Sequence, residues 1–352
     1  MTLSRRDLHR ILLGTGALAL VPGLARSSFV QAAEAAGSDP LALVDPELRA
    51  AARAMLAQKV PPMTREALPA MRAAWPPPPL LAAPEVRLQT IPGPAGAPPV
   101  AIELIVPGAS GTPRPAIVHI HGGGMISGRA RNMTAFCQSL AAEFGAVVVN
   151  VDYRLSPETP FPGPVLDNYA ALEWLEDNAQ SLGVDPARIA VMGESAGGGL
   201  AAMVALMARD RGKVALCQAI LIYPMLDDRT GSTRKVPPHI GTVGWSAEAN
   251  RFGWSAFLGV PAGSDTVPAG SVPARESNLA GLAPTFIGVG ALDLFVDEDI
   301  AFGQRLIAAG VKTRIHVTPG AWHAFDFVVP EARVAREFTA AWKAELRAAF
   351  AA

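Results

Sequence analysis

From Pro115 to the C-terminus, short runs of Val, Ile and Ala alternate with segments of helical periodicity, and this alternation limits the chain to a sheet covered on both faces. The apolar runs lie at 116–120, 146–151, 188–192, 216–222, 285–289 and 313–317. Helical patterns fall at 132–144, 165–180, 196–209 and 298–309, where Gly310 is a natural stop, and again from 331 onward. Two earlier runs, 86–91 and 100–106, flank a Pro/Gly-rich turn and read as an antiparallel pair at the sheet edge. The count is about eight strands, mostly parallel, in an α/β architecture.

The fifth of these strands ends in Gly193-Glu194-Ser195-Ala196-Gly197, and a helical pattern begins at once. A serine on such a strand–turn–helix corner is held with its hydroxyl exposed, and small residues two positions either side let strand and helix close around it. That context points to a nucleophile, where a bare Gly-bracketed Ser would as readily be an ordinary turn. The nucleophile then needs a base, an acid and donors for an oxyanion.

Six histidines are available. His9 lies near the N-terminus, His119 and His316 fall inside strand patterns, His239 lies in an irregular segment, and His121 opens a glycine loop. His323 follows the last strand, and in hydrolases built on this corner the acid and then the histidine come after the serine. It is the candidate base. Asp293, four residues past strand 285–289, is the candidate acid that would orient the imidazole; Asp227 or Asp228, past strand 216–222, is the alternative. Asp297 and Asp299 read instead as charges complementing the start of the next helix. Backbone N–H groups of Gly123 and Gly124, in the His-Gly-Gly-Gly run at 121–124, with that of Ala196, are the candidate oxyanion donors.

Composition narrows the partners. Half of the 352 residues are hydrophobic and the formal net charge is −1, which excludes a polyanion-binding or disordered chain, so no nucleic acid is expected. Cys137 and Cys217 lack a second ligand at metal spacing and read as buried free thiols; no metal and no cofactor are expected.

Two segments stand apart from the alternation. Arg5-Arg6 precedes an apolar run from Ile11 to Leu24 and a small-residue site around Ala33-Glu34-Ala35, which resembles a twin-arginine export signal over residues 1–35. A periplasmic or secreted protein without a stable membrane span is expected; the alternative is an amphipathic N-terminal helix on a cytoplasmic protein. The remaining 36–352 read as one domain. Within it, 227–280 interrupts the rhythm with Gly, Pro and three bulky aromatics, Trp245, Trp254 and Phe257, around one helical pattern at 247–258. This insertion, together with about 40–80, is expected to form a helical cap over the strand ends, its aromatics either lining a pocket or forming the cap's own core.

Several motifs occur in order: HGGG at 121–124, ValAspTyrArgLeuSerProGlu at 151–158, Asp167, GESAGG at 193–198, TyrPro at 223–224, AspLeuPheValAspGlu at 293–298 and HisAlaPhe at 323–325. Together they resemble the bacterial hormone-sensitive-lipase-like esterases of the α/β-hydrolase fold, over residues from about 115 to 326. The resemblance implies an eight-stranded α/β-hydrolase sheet with a helical cap and a serine carboxylesterase acting on small-molecule esters of short to medium acyl chains. It also implies a triad of Ser195, Asp293 and His323, oxyanion donors at Gly123, Gly124 and Ala196, and a possible homodimer. Amide hydrolysis or acyl transfer with the same triad, or ligand binding without catalysis, are the alternatives. Three positions depart from the family pattern: Glu194 where Asp or Thr is common, Leu294 where Pro is common, and Ala324 where Gly is common.

Overall fold

The computed structural model describes residue 39 and residues 41–58, 62–108 and 110–352, so the candidate export signal lies outside the described residues. Eight strands form one sheet: β1 (Val86–Ile91), β2 (Val100–Ile105), β3 (Arg114–Ile120), β4 (Val147–Asp152), β5 (Val184–Glu194), β6 (Gln218–Ile222), β7 (Thr285–Gly290) and β8 (Thr313–Thr318). Their order is β1-β2-β4-β3-β5-β6-β7-β8. β1 and β2 are antiparallel to each other and β2 to β4, and every other pairing is parallel. The expected antiparallel pair is present, but only β1 is an edge, because β2 is bonded on both sides.

Strand residues alternate between two cores, as a side-chain period of two requires. Val147, Val149 and Val151 of β4 belong to the core that the sheet shares with helices Gly163–Asp177, Ala196–Arg211 and Val296–Ala308. Val148 between them faces the opposite way, toward Ala130–Phe144 and the C-terminal helix Arg333–Ala351. Continuous Val runs are stable here because both faces are dry.

The N-terminal segment divides into two helices with different tasks. Ala52 of Arg49–Ala57 and the N-cap residue Leu48 are buried in the core that also holds Trp342 and Phe325, so this helix belongs to the body of the domain. Leu68–Ala73 reaches across the strand ends instead. Its Arg72 donates to the carbonyls of Ile126 at 2.8 Å and Ser156 at 2.9 Å, and forms a two-pronged pair with Glu158. Helix Ala247–Leu258 of the insertion forms where predicted, its first turn capped by the Ser246 hydroxyl. No helix of the described residues is long and apolar enough to cross a membrane.

Candidate active site

Four loops meet at the C-terminal ends of parallel strands, following β3, β5, β7 and β8. Ser195 has φ +57 and ψ −121, a strained geometry for a residue with a side chain, between strand β5 and helix Ala196–Arg211. Hydrogen bonds hold that strain from both sides: Ser195 N–H donates to Ile222 O at 2.8 Å, and Met225 N–H donates to Ser195 O at 2.9 Å. The turn must also be narrow. A Cβ on Gly197 would stand 2.0 Å from the carbonyl oxygen of Ile120, so only glycine lets the helix close onto β3.

The three residues predicted as nucleophile, acid and base come together. Asp293 is fully buried, and its carboxylate accepts from His323 Nδ1 at 2.8 Å and from Phe295 N–H at 3.0 Å. A carboxylate only accepts, so the imidazole proton sits on Nδ1. Nε2 is left as the acceptor for the Ser195 hydroxyl at 3.0 Å. Ser195 and His323 are 8% and 7% exposed, so the relay is open only at its tip. The alternative acids are engaged elsewhere: Asp227 accepts from Arg229 and Arg234, and Asp228 from Arg275 and Gly263 N–H.

The glycine loop is wired so that its carbonyls face one way. His121 Nδ1 donates to Gly122 O at 2.8 Å, and Gly123 O accepts from Ser127 N–H and Ser127 Oγ, both at 2.9 Å. Planar trans peptides then turn the N–H groups of Gly123 and Gly124 the opposite way. Ala196 opens its helix, so its N–H has no intrahelical acceptor. Burial drives His121 down to about 3, which keeps it a neutral Nδ1–H donor; its carbonyl accepts from the Tyr153 hydroxyl at 2.8 Å.

Behind the corner lies a polar cluster that sequence reasoning did not find. His119 Nε2 faces both oxygens of Glu194 at 3.1 and 3.2 Å, and Nδ1 faces Asn150 Oδ1 at 2.9 Å. Asn150 Nδ2 donates to Glu103 Oε2 at 2.9 Å and Ala130 O at 2.7 Å, which fixes the amide so that its oxygen meets the ring. Both ring nitrogens therefore donate, and His119 is an imidazolium. Burial alone would push it neutral, but the Cys137 sulfur as a hydrogen-bond partner and the Glu194 carboxylate as a charge outweigh that and hold its protonation well above the ordinary histidine range. The charge partner is Glu194, since burial raises the Cys137 thiol and keeps it neutral. Polar residues at 103, 119, 150 and 194, inside or at the ends of otherwise apolar strands, were the available signal.

The three departures from the family pattern differ in their surroundings. Glu194 pairs with His119. Leu294 is buried and packs on the insertion, since a Cβ on Gly241 would stand 2.9 Å from its Cδ1. Ala324 occupies the left-handed region at φ +63, which is where glycine is ordinarily favoured.

Two expectations need correction. Asp299 lies in the first helical turn but is fully buried, and burial raises its carboxyl well above the usual range, which disfavours the charge that would complement the helix dipole. Its neighbour Glu298 turns away from its own helix to accept from Leu226 and Asp227 N–H at 2.7 and 3.0 Å. Cys137 is buried as expected, whereas Cys217 is only half-buried; both are free.

A sequence profile of the α/β-hydrolase fold family matches residues 117–327. The carboxylesterase NlhH of Mycobacterium tuberculosis is 35% identical over 227 residues, which are 61% of this chain and 69% of NlhH. The esterase LipI of the same organism is 35% identical over 204 residues, 57% of this chain. The chain thus spans somewhat under two thirds of LipI, 62% of its length. Among solved structures, a bacterial heroin esterase superimposes with a TM-score of 0.78 at 35% identity, covering 89% of this chain and 99% of that one. Esterase LipW of Mycobacterium marinum gives 0.75 at 32%, covering 88% and 97%. The chain belongs to the α/β-hydrolase fold family.

Proposed function

We propose that the protein is a serine carboxylesterase that hydrolyses small-molecule esters of short to medium acyl chains through an acyl-enzyme. The observation that carries this reading is the continuous relay from Ser195 Oγ through His323 to the buried Asp293, with bonds of 3.0 and 2.8 Å. Ser195 Oγ attacks the ester carbonyl while its proton passes to His323 Nε2. The tetrahedral oxyanion is received by the N–H groups of Gly123, Gly124 and Ala196, which are preorganised and need no rearrangement at the moment of reaction. Asp293 stabilises the imidazolium formed in this step, and His323 returns the proton to the departing alkoxide. Water activated by the same histidine then releases the acid. The likeness to esterases and carboxylesterases supports ester rather than amide substrates.

The test is Ser195→Ala assayed on p-nitrophenyl acetate, with labelling by a fluorophosphonate. Turnover is expected to fall by about 10⁴-fold or more while the fold persists, and labelling should vanish. Hydrolysis at the wild-type rate by this variant would overturn the assignment.

A further inference from the structure

The aromatics of the insertion separate into two kinds. Trp254 and Phe257 are fully buried, with ring centroids 5.9 Å apart, and belong to the main core of the domain, where Phe257 also meets Phe161 at 5.7 Å. Trp245 is half-buried, packing against the edge of that core where it borders the glycine loop. A Cβ on Gly124 would lie 2.4 Å from its Cη2 and 2.6 Å from its Cζ2, so the benzo edge of the indole rests on the glycine loop. The preceding residue touches the other side of the site. A Cβ on Gly244 would stand 2.8 Å from the His323 carbonyl oxygen and 2.9 Å from the His323 Cβ.

The indole is held in one orientation. Its Nε1–H donates to Asn250 Oδ1 at 3.3 Å, and Asn250, itself fully buried, donates from Nδ2 to Thr230 O at 2.9 Å. Asn250 rides on helix Ala247–Leu258, one of the rigid elements of the insertion. A ring anchored in this way is a fixed wall rather than a moving gate.

We infer that Trp245 sets the upper limit on acyl-chain length, its benzo edge closing the pocket beside the oxyanion loop against longer or branched acyl groups. The inference rests on the ester-hydrolase reading. In the tetrahedral intermediate the oxyanion faces the backbone donors, and the leaving oxygen must face His323 Nε2 to be protonated. Gly244 covers His323 only from its backbone side and leaves Nε2 free for the alcohol. The acyl chain departs from the reacting carbon on the remaining side, along the loop on which Trp245 rests.

The experiment compares wild type, Trp245→Ala and Trp245→Phe on two series: p-nitrophenyl esters from acetate to decanoate, and acetates of alcohols of matching length. Trp245→Ala should raise the octanoate-to-acetate ratio of kcat/KM by about ten-fold or more, since an apolar pocket distinguishes single methylenes by roughly that factor. Trp245→Phe, which keeps a ring but shortens the edge that meets Gly124, should fall between. An unchanged acyl ratio in both variants, or a change confined to the alcohol series, overturns the inference. If the alanine variant does not fold, the phenylalanine variant decides alone. Failure of the underlying reading shows separately, as wild-type acetate hydrolysis that does not depend on Ser195.

Discussion

Two buried carboxylate–histidine pairs flank Ser195, and what sets their roles apart is the group the second ring nitrogen faces. In front, His323 donates from Nδ1 to Asp293, and its Nε2 meets a hydroxyl that can give up a proton. Behind, His119 meets Glu194 through Nε2 and an acceptor oxygen of Asn150 through Nδ1, so both nitrogens must carry hydrogen. One ring can exchange a proton; the other is fixed as a cation. Proximity to a carboxylate therefore does not make a histidine a base. The partner of the far nitrogen decides, and here a single buried asparagine amide makes the difference.

The sharpest way to break this comparison is to remove the directionality of the front pair. Asp293→Asn keeps the size of the side chain but offers His323 an amide, which can stabilise the wrong tautomer and cannot stabilise the imidazolium. Turnover of p-nitrophenyl acetate at neutral pH should fall by about 10⁴-fold, with thermal stability changed far less. Turnover within ten-fold of wild type would mean that another acid serves His323.

The rear pair should respond in the opposite sense. His119→Gln leaves Glu194, only 4% exposed, without its cationic partner, and breaking a buried pair costs roughly 3–5 kcal/mol. Turnover by the folded fraction should drop by less than about ten-fold, because the ring does not reach the reacting atoms. The deficit should also depend on pH. The protonation of His119 is raised in the fold above its unfolded value of about 6.5. Its contribution is therefore complete below about pH 6.5 and is lost as pH rises through the folded value. Denaturant unfolding of both proteins from pH 6 to 10 should show the gap between them narrowing at the alkaline end. A gap that widens with pH, or a variant as stable as wild type but inactive, would erase the distinction between the two pairs.

What could be read from the chain divides along the same line. Parallel strands were legible because their Val and Ile runs are buried on both faces. The Ser195 corner was legible because a glycine at each flank is demanded by the closeness of strand and helix. Asp293 and His323 followed from their places after strand ends, and the structure brings them within hydrogen-bonding distance of each other and of Ser195. The rear cluster was not legible, since His119, Asn150, Glu103 and Glu194 come from four strands and acquire meaning only when the sheet order places β2, β4, β3 and β5 side by side. Asp299 failed for a related reason: a carboxylate in a first helical turn suggests a charge, and only its burial shows that the charge is disfavoured. The separate tasks of Trp245 and Trp254 were equally hidden, because spacing along a helix says nothing of which loop a preceding residue touches.

The smallest expected effect concerns the residue after the front histidine. Ala324 sits at φ +63 and ψ +25, where a Cβ costs about 1–2 kcal/mol and glycine none. Ala324→Gly removes that cost but gives the unfolded chain more freedom, worth about 0.4–1 kcal/mol in the other direction. The net gain should be about 0.5 kcal/mol, a rise in melting temperature of roughly 1–2 °C in a domain of this size. Because His323 is held through its own bond to Asp293, turnover should stay within about two-fold of wild type. A loss beyond ten-fold in a variant of equal or greater stability would show that the strained backbone at 324, and not Asp293 alone, holds the imidazole against Ser195. In that case the front pair would differ from the rear one in its backbone support as well as in the partner of its second nitrogen.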